Sequence, residues 1–314
     1  MDIQIDVLKE RKPSSVLLID YFENNSIYTD DRFSKEDPIY ELIEPAFSTG
    51  DFSGKWKQNI IIYTYGKLPE ARIMLLGLGK KEDISPFKIK IAFAYALKIL
   101  QPLKIKNVST YIYKKCCPKE FWEIGEFLAE AAYFSQYRYP SYKKNPPEQY
   151  PPIEKIHLLL PEGIEDENAQ QVANGVQEGC YTGYAVNEVR DLINKPANYL
   201  TPTVLANYAR KLDTDIPSIK TEIFDKKDIV AMKMGGLIGV SKGSDEPPCF
   251  IKMTYTPEGI DNGHTIALVG KGVTFDSGGI SLKNAKGMYR MKDDMGGAAL
   301  VLGVMRLAAL LKLP

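Results

Sequence analysis

Short apolar runs alternate with helical stripes through the first half of the chain, and this alternation restricts the fold more than any other feature of the sequence. Residues 16–21, 60–65, 73–77, 108–112 and 156–160 are apolar runs of strand length. Between them, residues 87–100 repeat apolar side chains at helical spacing through Phe87, Ile91, Ala94, Tyr95 and Ile99. Residues 121–134 do the same through Trp122, Gly125, Leu128, Ala129 and Ala132. Alternation of this kind predicts an α/β domain built on a mostly parallel sheet.

The stretch 136–152 breaks the pattern. It holds five prolines and almost no aliphatic residue, which predicts an extended surface excursion. A long helix is then expected from about Asp166 or Asn168 to just before Pro196, because Ala169, Val172, Ala173, Val176, Cys180, Gly183, Val186 and Val189 share one stripe. The domain boundary falls near its start, giving an N-terminal α/β domain over 1–162 and a second α/β domain over 163–314. In the second, Thr201-Pro202 caps a helix over 203–212, with proline at the first helical position. Residues 219–224 form a strand, and 235–240, 249–255 and 265–269 read as buried strands. Residues 295–311 form a last apolar helix that opens on Gly296-Gly297.

Several function classes are disfavoured by composition. Forty basic residues balance forty acidic ones, so charge gives no reason to expect nucleic acid or an anionic membrane as partner. No stretch of about 18 apolar residues is present, so no transmembrane helix is expected. The first residues carry Asp2, Asp6 and Glu10 and lack the apolar run of a signal peptide. Cys116, Cys117, Cys180 and Cys249 are too few and too scattered for a disulfide framework or a zinc ribbon, and read as reduced thiols of a cytoplasmic protein. His157 and His264 are the only histidines, which excludes a mechanism needing several histidine ligands and a histidine base.

The chemistry is concentrated in residues 269–298, VGKGVTFDSGGISLKNAKGMYRMKDDMGGA. The expected strand 265–269 runs straight into Lys271, and open α/β sheets bind ligands at the carboxyl ends of their strands. Lys271, Asp276, Lys283, Asp293 and Asp294 are thereby delivered to one rim, between two Gly-Gly turns. Such a set can hydrolyse without histidine. Carboxylates bind divalent metals, a lysine of depressed pKa binds as a neutral amine, and a second, protonated lysine polarises a carbonyl. A lone lysine or aspartate is usually a solvated charge; the ordered set is what carries the signal. DSGG at 276–279 also matches the nucleophile loop of trypsin-like serine proteases, but that chemistry needs a histidine base and an oriented aspartate. GLGKK at 77–81 and GVSKGS at 239–244 lack phosphate-loop spacing and read as turn glycines beside solvated lysines. His157, inside an apolar run, reads as a satisfied strand histidine, and His264 as a turn residue.

The segment resembles the leucine aminopeptidase (cytosol aminopeptidase) family of two-metal peptidases, whose signature includes GKG(I/V)TFDSGG(I/V)S(I/L)K and then ADMGG. Residues 187–206, NEVRDLINKPANYLTPTVLA, look like the start of that family's catalytic domain, and 235–251 like its strand carrying VSKGS. The resemblance implies a macro-like N-terminal α/β domain followed by the first part of an α/β metallopeptidase catalytic domain. It implies a metal-dependent aminopeptidase that releases N-terminal, leucine-type residues from peptides with two divalent ions, zinc or manganese. It also implies a homo-oligomer, a hexamer, located in the cytoplasm. Carried over by position, the resemblance implies that Lys271 ligates one metal, Asp276 bridges both, Asp294 completes the coordination of the second metal, and Lys283 holds the substrate carbonyl and the developing oxyanion.

The sequence departs from the family pattern at Gly287, Met288 and Tyr289, where the family has asparagine and then Met-Asp, and at Asp293, where it has alanine. The family's later NTDAEGR element, which supplies two more carboxylates and the arginine for bicarbonate, does not occur here. Two functions therefore stand: the aminopeptidase, and a catalytically inactive, truncated relative acting as a structural or binding subunit.

Overall fold

The run Val16–Phe22 becomes strand β2, and all seven of its residues are buried. Burial on both faces is what a central parallel strand requires, since helices cover each side of such a sheet. The computed structural model describes residues 1–7, 13–24, 32–33, 35–111, 120–142, 144, 150–161, 163–259 and 265–314. They divide into two units, Met1–Gly183 and Tyr184–Pro314.

In the first unit, β1 (Asp2–Val7), β2, β3 (Asn59–Tyr63), β4 (Arg72–Gly79), β5 (Asn107–Tyr111) and β6 (Lys155–Leu160) form one sheet, in the order β1-β6-β5-β2-β4-β3. All neighbours pair in parallel except β3, which lies antiparallel to β4 at the edge. Alternate residues divide between two cores. Val16, Leu18, Met74 and Leu76 pack with helices α2 (Pro86–Leu100) and α3 (Phe121–Gln136). Leu17, Ile19, Ile73 and Leu75 pack with α1 (Pro38–Ser48). The expected parallel α/β domain is thus present, with two elements, β1 and α1, beyond those expected.

Local chemistry sets the helix starts. Asp37 Oδ1 accepts from the Ile39 amide at 2.8 Å and Pro38 begins α1; Ser85 and Pro86 play the same parts for α2. Against α3 runs α4 (Asp166–Asn194). A Cβ on Gly175 would lie 1.8 Å from the Trp122 carbonyl oxygen, and one on Gly179 would lie 2.3 Å from that of Glu126. Only glycine allows backbones to approach so closely. His157 on β6 is buried, with Nδ1 2.5 Å from Asp6 Oδ2 on β1, as expected of a satisfied strand histidine. Cys116, Cys117 and His264 lie outside the described residues.

In the second unit, α5 (Pro202–Asp215) starts at the Thr201-Pro202 cap, and β7 (Ile219–Phe224) pairs antiparallel with β8 (Phe250–Tyr255). Leu192 of α4, Leu205 and Leu212 of α5, and Met295, Ala299 and Leu302 at and along α8 (Gly296–Leu310) share a core with Ile251 and Met253. Among the described residues no helix is long and apolar enough to cross a membrane.

Three of the expected strands need correction. Residues 235–240 lie in a helix, α7 (Gly235–Ser241), which follows α6 (Lys226–Ala231) and buries no residue. A run this short fits either element by periodicity, and among the described residues no strand pairs with it to take its peptide groups. Those groups bond locally instead, as in Ile238 N to Met234 O at 3.1 Å. Residues 265–269 form no strand: among the described residues β7 and β8 pair only with each other, and Ile266 and Val269 are 86% and 96% exposed. Residues 249–255 do hold a strand, β8, but it is half-buried rather than buried, with alternate residues exposed.

Candidate active site

Lys271 is placed without a strand. Its carbonyl accepts from the Ala298 amide at 2.8 Å, at the opening turn of α8. The two backbones touch there: a Cβ on Gly270 would lie 2.4 Å from the Gly297 carbonyl oxygen. The Gly-Gly start of α8 therefore lets residues 270–272 dock on the helix N-terminus. Asp276 leads into a tight turn in which its Oδ1 accepts from the Gly278 amide at 2.8 Å, and the Lys283 amide donates to Ser277 O at 2.9 Å. Gly278 sits at φ +91°, and a Cβ there would strike Ser281 O at 2.4 Å. Residues Met288–Asp293 form a 3₁₀ turn, and Met295, fully buried, fixes the chain that follows Asp294.

The four sequence-predicted residues form two ion pairs. Lys271 Nζ lies 2.8 Å from Asp294 Oδ1 and 2.7 Å from Oδ2. Lys283 Nζ lies 2.7 Å from Asp276 Oδ2 and 3.1 Å from Met291 Sδ. The pairs are within electrostatic reach of each other. The bond to Asp294 raises the Lys271 pKa, with the Asp276 charge adding to it. The bond from Lys283 lowers the Asp276 pKa, aided by the Gly278 amide and the Lys271 charge. Asp293 is exposed, and its charge acts on Arg290. The Met291 contact and a bond from Lys292 to Asn194 O at 2.6 Å went unseen in the sequence; neither has a motif to announce it.

The donors present fit part of a cation site. Asp276 and Asp294 each hold a carboxylate oxygen 2.7 Å from positive charge, and hard oxygen donors suit divalent ions. Lys271 becomes a ligand only by giving up the proton that Asp294 stabilises. Among the described residues no three His, Cys, Asp or Glu side chains gather into a metal-holding group, so the donors assembled here would supply only part of an ion's coordination.

Two profiles match the chain: the catalytic domain of the cytosol aminopeptidase family over residues 187–314, and that family's N-terminal domain over residues 24–146. The chain belongs to the cytosol aminopeptidase family. It is 33% identical over 317 residues to a probable cytosol aminopeptidase of Alkaliphilus oremlandii, covering 99% of this chain and 62% of the relative. It is 37% identical over 285 residues to one of Chlamydia felis, covering 88% of this chain and 54% of the relative. Among solved structures, a tomato leucine aminopeptidase mutant matches with a TM-score of 0.78 at 24% identity, over 99% of this chain and 60% of that one. The bottromycin maturation enzyme BotP in complex with Mn matches with a TM-score of 0.72 at 24% identity, over 96% and 57%. These likenesses show the fold: an N-terminal α/β domain plus part of a catalytic domain. The chain spans between half and two thirds of the length of its curated relatives.

Proposed function

We propose that this chain provides the N-terminal domain and part of the catalytic domain, residues 163–314, of a metal-dependent aminopeptidase that releases leucine-type N-terminal residues from peptides. The observation that carries the reading is the double pair Lys271–Asp294 and Lys283–Asp276, folded onto the start of α8 inside the catalytic-domain match. Lys271, Asp276 and Asp294 are the residues that would hold two divalent ions, zinc or manganese, with Asp276 shared between them. Bound there, the ions would supply Lewis acidity and an activated water. Lys283, half-exposed, reaches for the substrate carbonyl and takes the charge that develops on its oxygen. Asp276 keeps that ammonium aimed, and Met291 Sδ supports it from the other side. A cytoplasmic homo-oligomer, a hexamer, and a bicarbonate site completed by an NTDAEGR-type element belong to the same proposal.

One observation favours a second reading, a structural or binding subunit: no third carboxylate joins these pairs among the described residues. The transcript beyond the Pro314 codon separates the two. An NTDAEGR-type element in frame, with leucine-amide hydrolysis abolished by chelators, supports the peptidase. A stop codon at that point, with no hydrolysis at saturating Mn²⁺ or Zn²⁺, supports the subunit.

A further inference from the structure

We propose that Lys292 is a positioning residue, a strut that ties the turn Met288–Asp293 to the C-terminus of α4 and through that turn holds both Lys–Asp pairs in place. The strut is the bond from its ammonium to Asn194 O at 2.6 Å, between residues 98 apart in the chain. Asn194 is the last residue of α4, and the final carbonyls of a helix have no donor further along it. The negative end of the helix also favours a cation. Lys292 thus anchors one side of the turn, and buried Met295, packed with Leu192 of the same helix, anchors the chain just beyond it. Between the anchors lie the two residues that matter. Met291 presents its sulfur to Lys283 Nζ at 3.1 Å, and Asp294 takes Lys271. The turn closes through Arg290 N to Gly287 O at 3.0 Å and Asp294 N to Met291 O at 3.4 Å, so displacement of Lys292 is passed to both neighbours. The effect on metal affinity rests on the site reading given above; the mechanical role does not.

The experiment compares the natural protein with its Lys292→Met and Lys292→Arg variants, by amide hydrogen exchange and by Mn²⁺ titration in a calorimeter. Lys292→Met is expected to speed exchange about tenfold or more at the Lys283 and Asp294 amides. It should leave the Leu205 and Thr221 amides, elsewhere in the unit, unchanged. Mn²⁺ affinity should drop by roughly 10–100-fold, the scale for residues that orient metal ligands. Lys292→Arg, which can still donate to Asn194 O, should restore most of both. Unchanged exchange at Lys283 and Asp294 overturns the proposal. So does uniform acceleration that includes Leu205 and Thr221, since that marks a general stabiliser. If the natural protein binds no Mn²⁺, the metal reading of the site falls, and the exchange comparison alone still decides the strut.

Discussion

At the residue scale, the two lysines are alike in their pairing but not in the roles proposed for them. Lys271 is 59% exposed against 20% for Asp294, so solvent reaches the lysine end of the pair and screens it. The role proposed for it is chemical, and arginine cannot replace an amine that must lose its proton to bind a metal. Lys271→Arg is therefore expected to lose metal while keeping its charge. Asp276→Ala should lower metal content as well. Lys283→Ala should leave metal near normal and cut kcat by about 10²–10³, the range for one oxyanion donor. Metal stoichiometry measured beside steady-state kinetics checks all three, and equal metal loss in each would abolish the separate roles. The four residues proposed for the site stand out in the sequence because their order and spacing match a family signature, and the structure gathers them into two ion pairs. Met291 and Lys292 do not stand out, since their partners come close only when the chain folds.

At the element scale, legibility followed how local the determinants are. Helix α5 declares itself through a Thr cap followed by proline, α2 through apolar side chains at helical spacing, and α4 through its apolar stripe. Helix α1 is masked by Pro45 in its interior, a residue that normally argues against a helix. Strand β1 alternates Ile3, Ile5 and Val7 with polar residues over a short span, and it acquires meaning only through pairing with β6, some 150 residues away. Segment 265–269 failed in the opposite sense: β-branched and apolar, it has the composition of a strand and no partner among the described residues. Two tests belong here. Gly179→Val would force a side chain into the Glu126 backbone and should cost at least about 1–3 kcal/mol, seen as a lower Tm. Asp213 accepts from the Thr221 amide at 2.7 Å, tying α5 to β7, and this bond holds its carboxyl below the usual aspartate range. Its contribution is complete above the ordinary aspartate pKa and is lost as pH falls through the lowered one. A carboxyl titration followed by NMR should give a midpoint below about 3.9, and Asp213→Asn should remove that acid-side dependence.

At the scale of the whole molecule, the second unit carries much apolar surface. Ile266, Val269, Ile280, Leu282 and Leu300 are all exposed, and large apolar side chains left uncovered in this number favour contact with other apolar surfaces. The 314-residue chain expressed alone is expected to bind the dye ANS and to self-associate. Ile280→Ser with Leu282→Ser should reduce both, as read by fluorescence and light scattering. A monodisperse monomer without dye binding would show that this surface is covered in solution. The protein as the natural gene encodes it should scatter as a hexamer, and a monomer at micromolar concentration would remove oligomer formation from the proposal.

Lys271 performs two jobs with different parts of itself. Its carbonyl, together with Gly270 and Gly297, moors the loop to α8, while its ammonium faces Asp294. The mooring uses only peptide groups, so almost any side chain at position 271 would preserve it. The shape of this loop is consequently robust to substitutions that abolish its chemistry. A single codon change at position 271 would therefore alter the charge presented to Asp294 while the fold persisted, leaving a ready-made scaffold on which other side chains can be displayed.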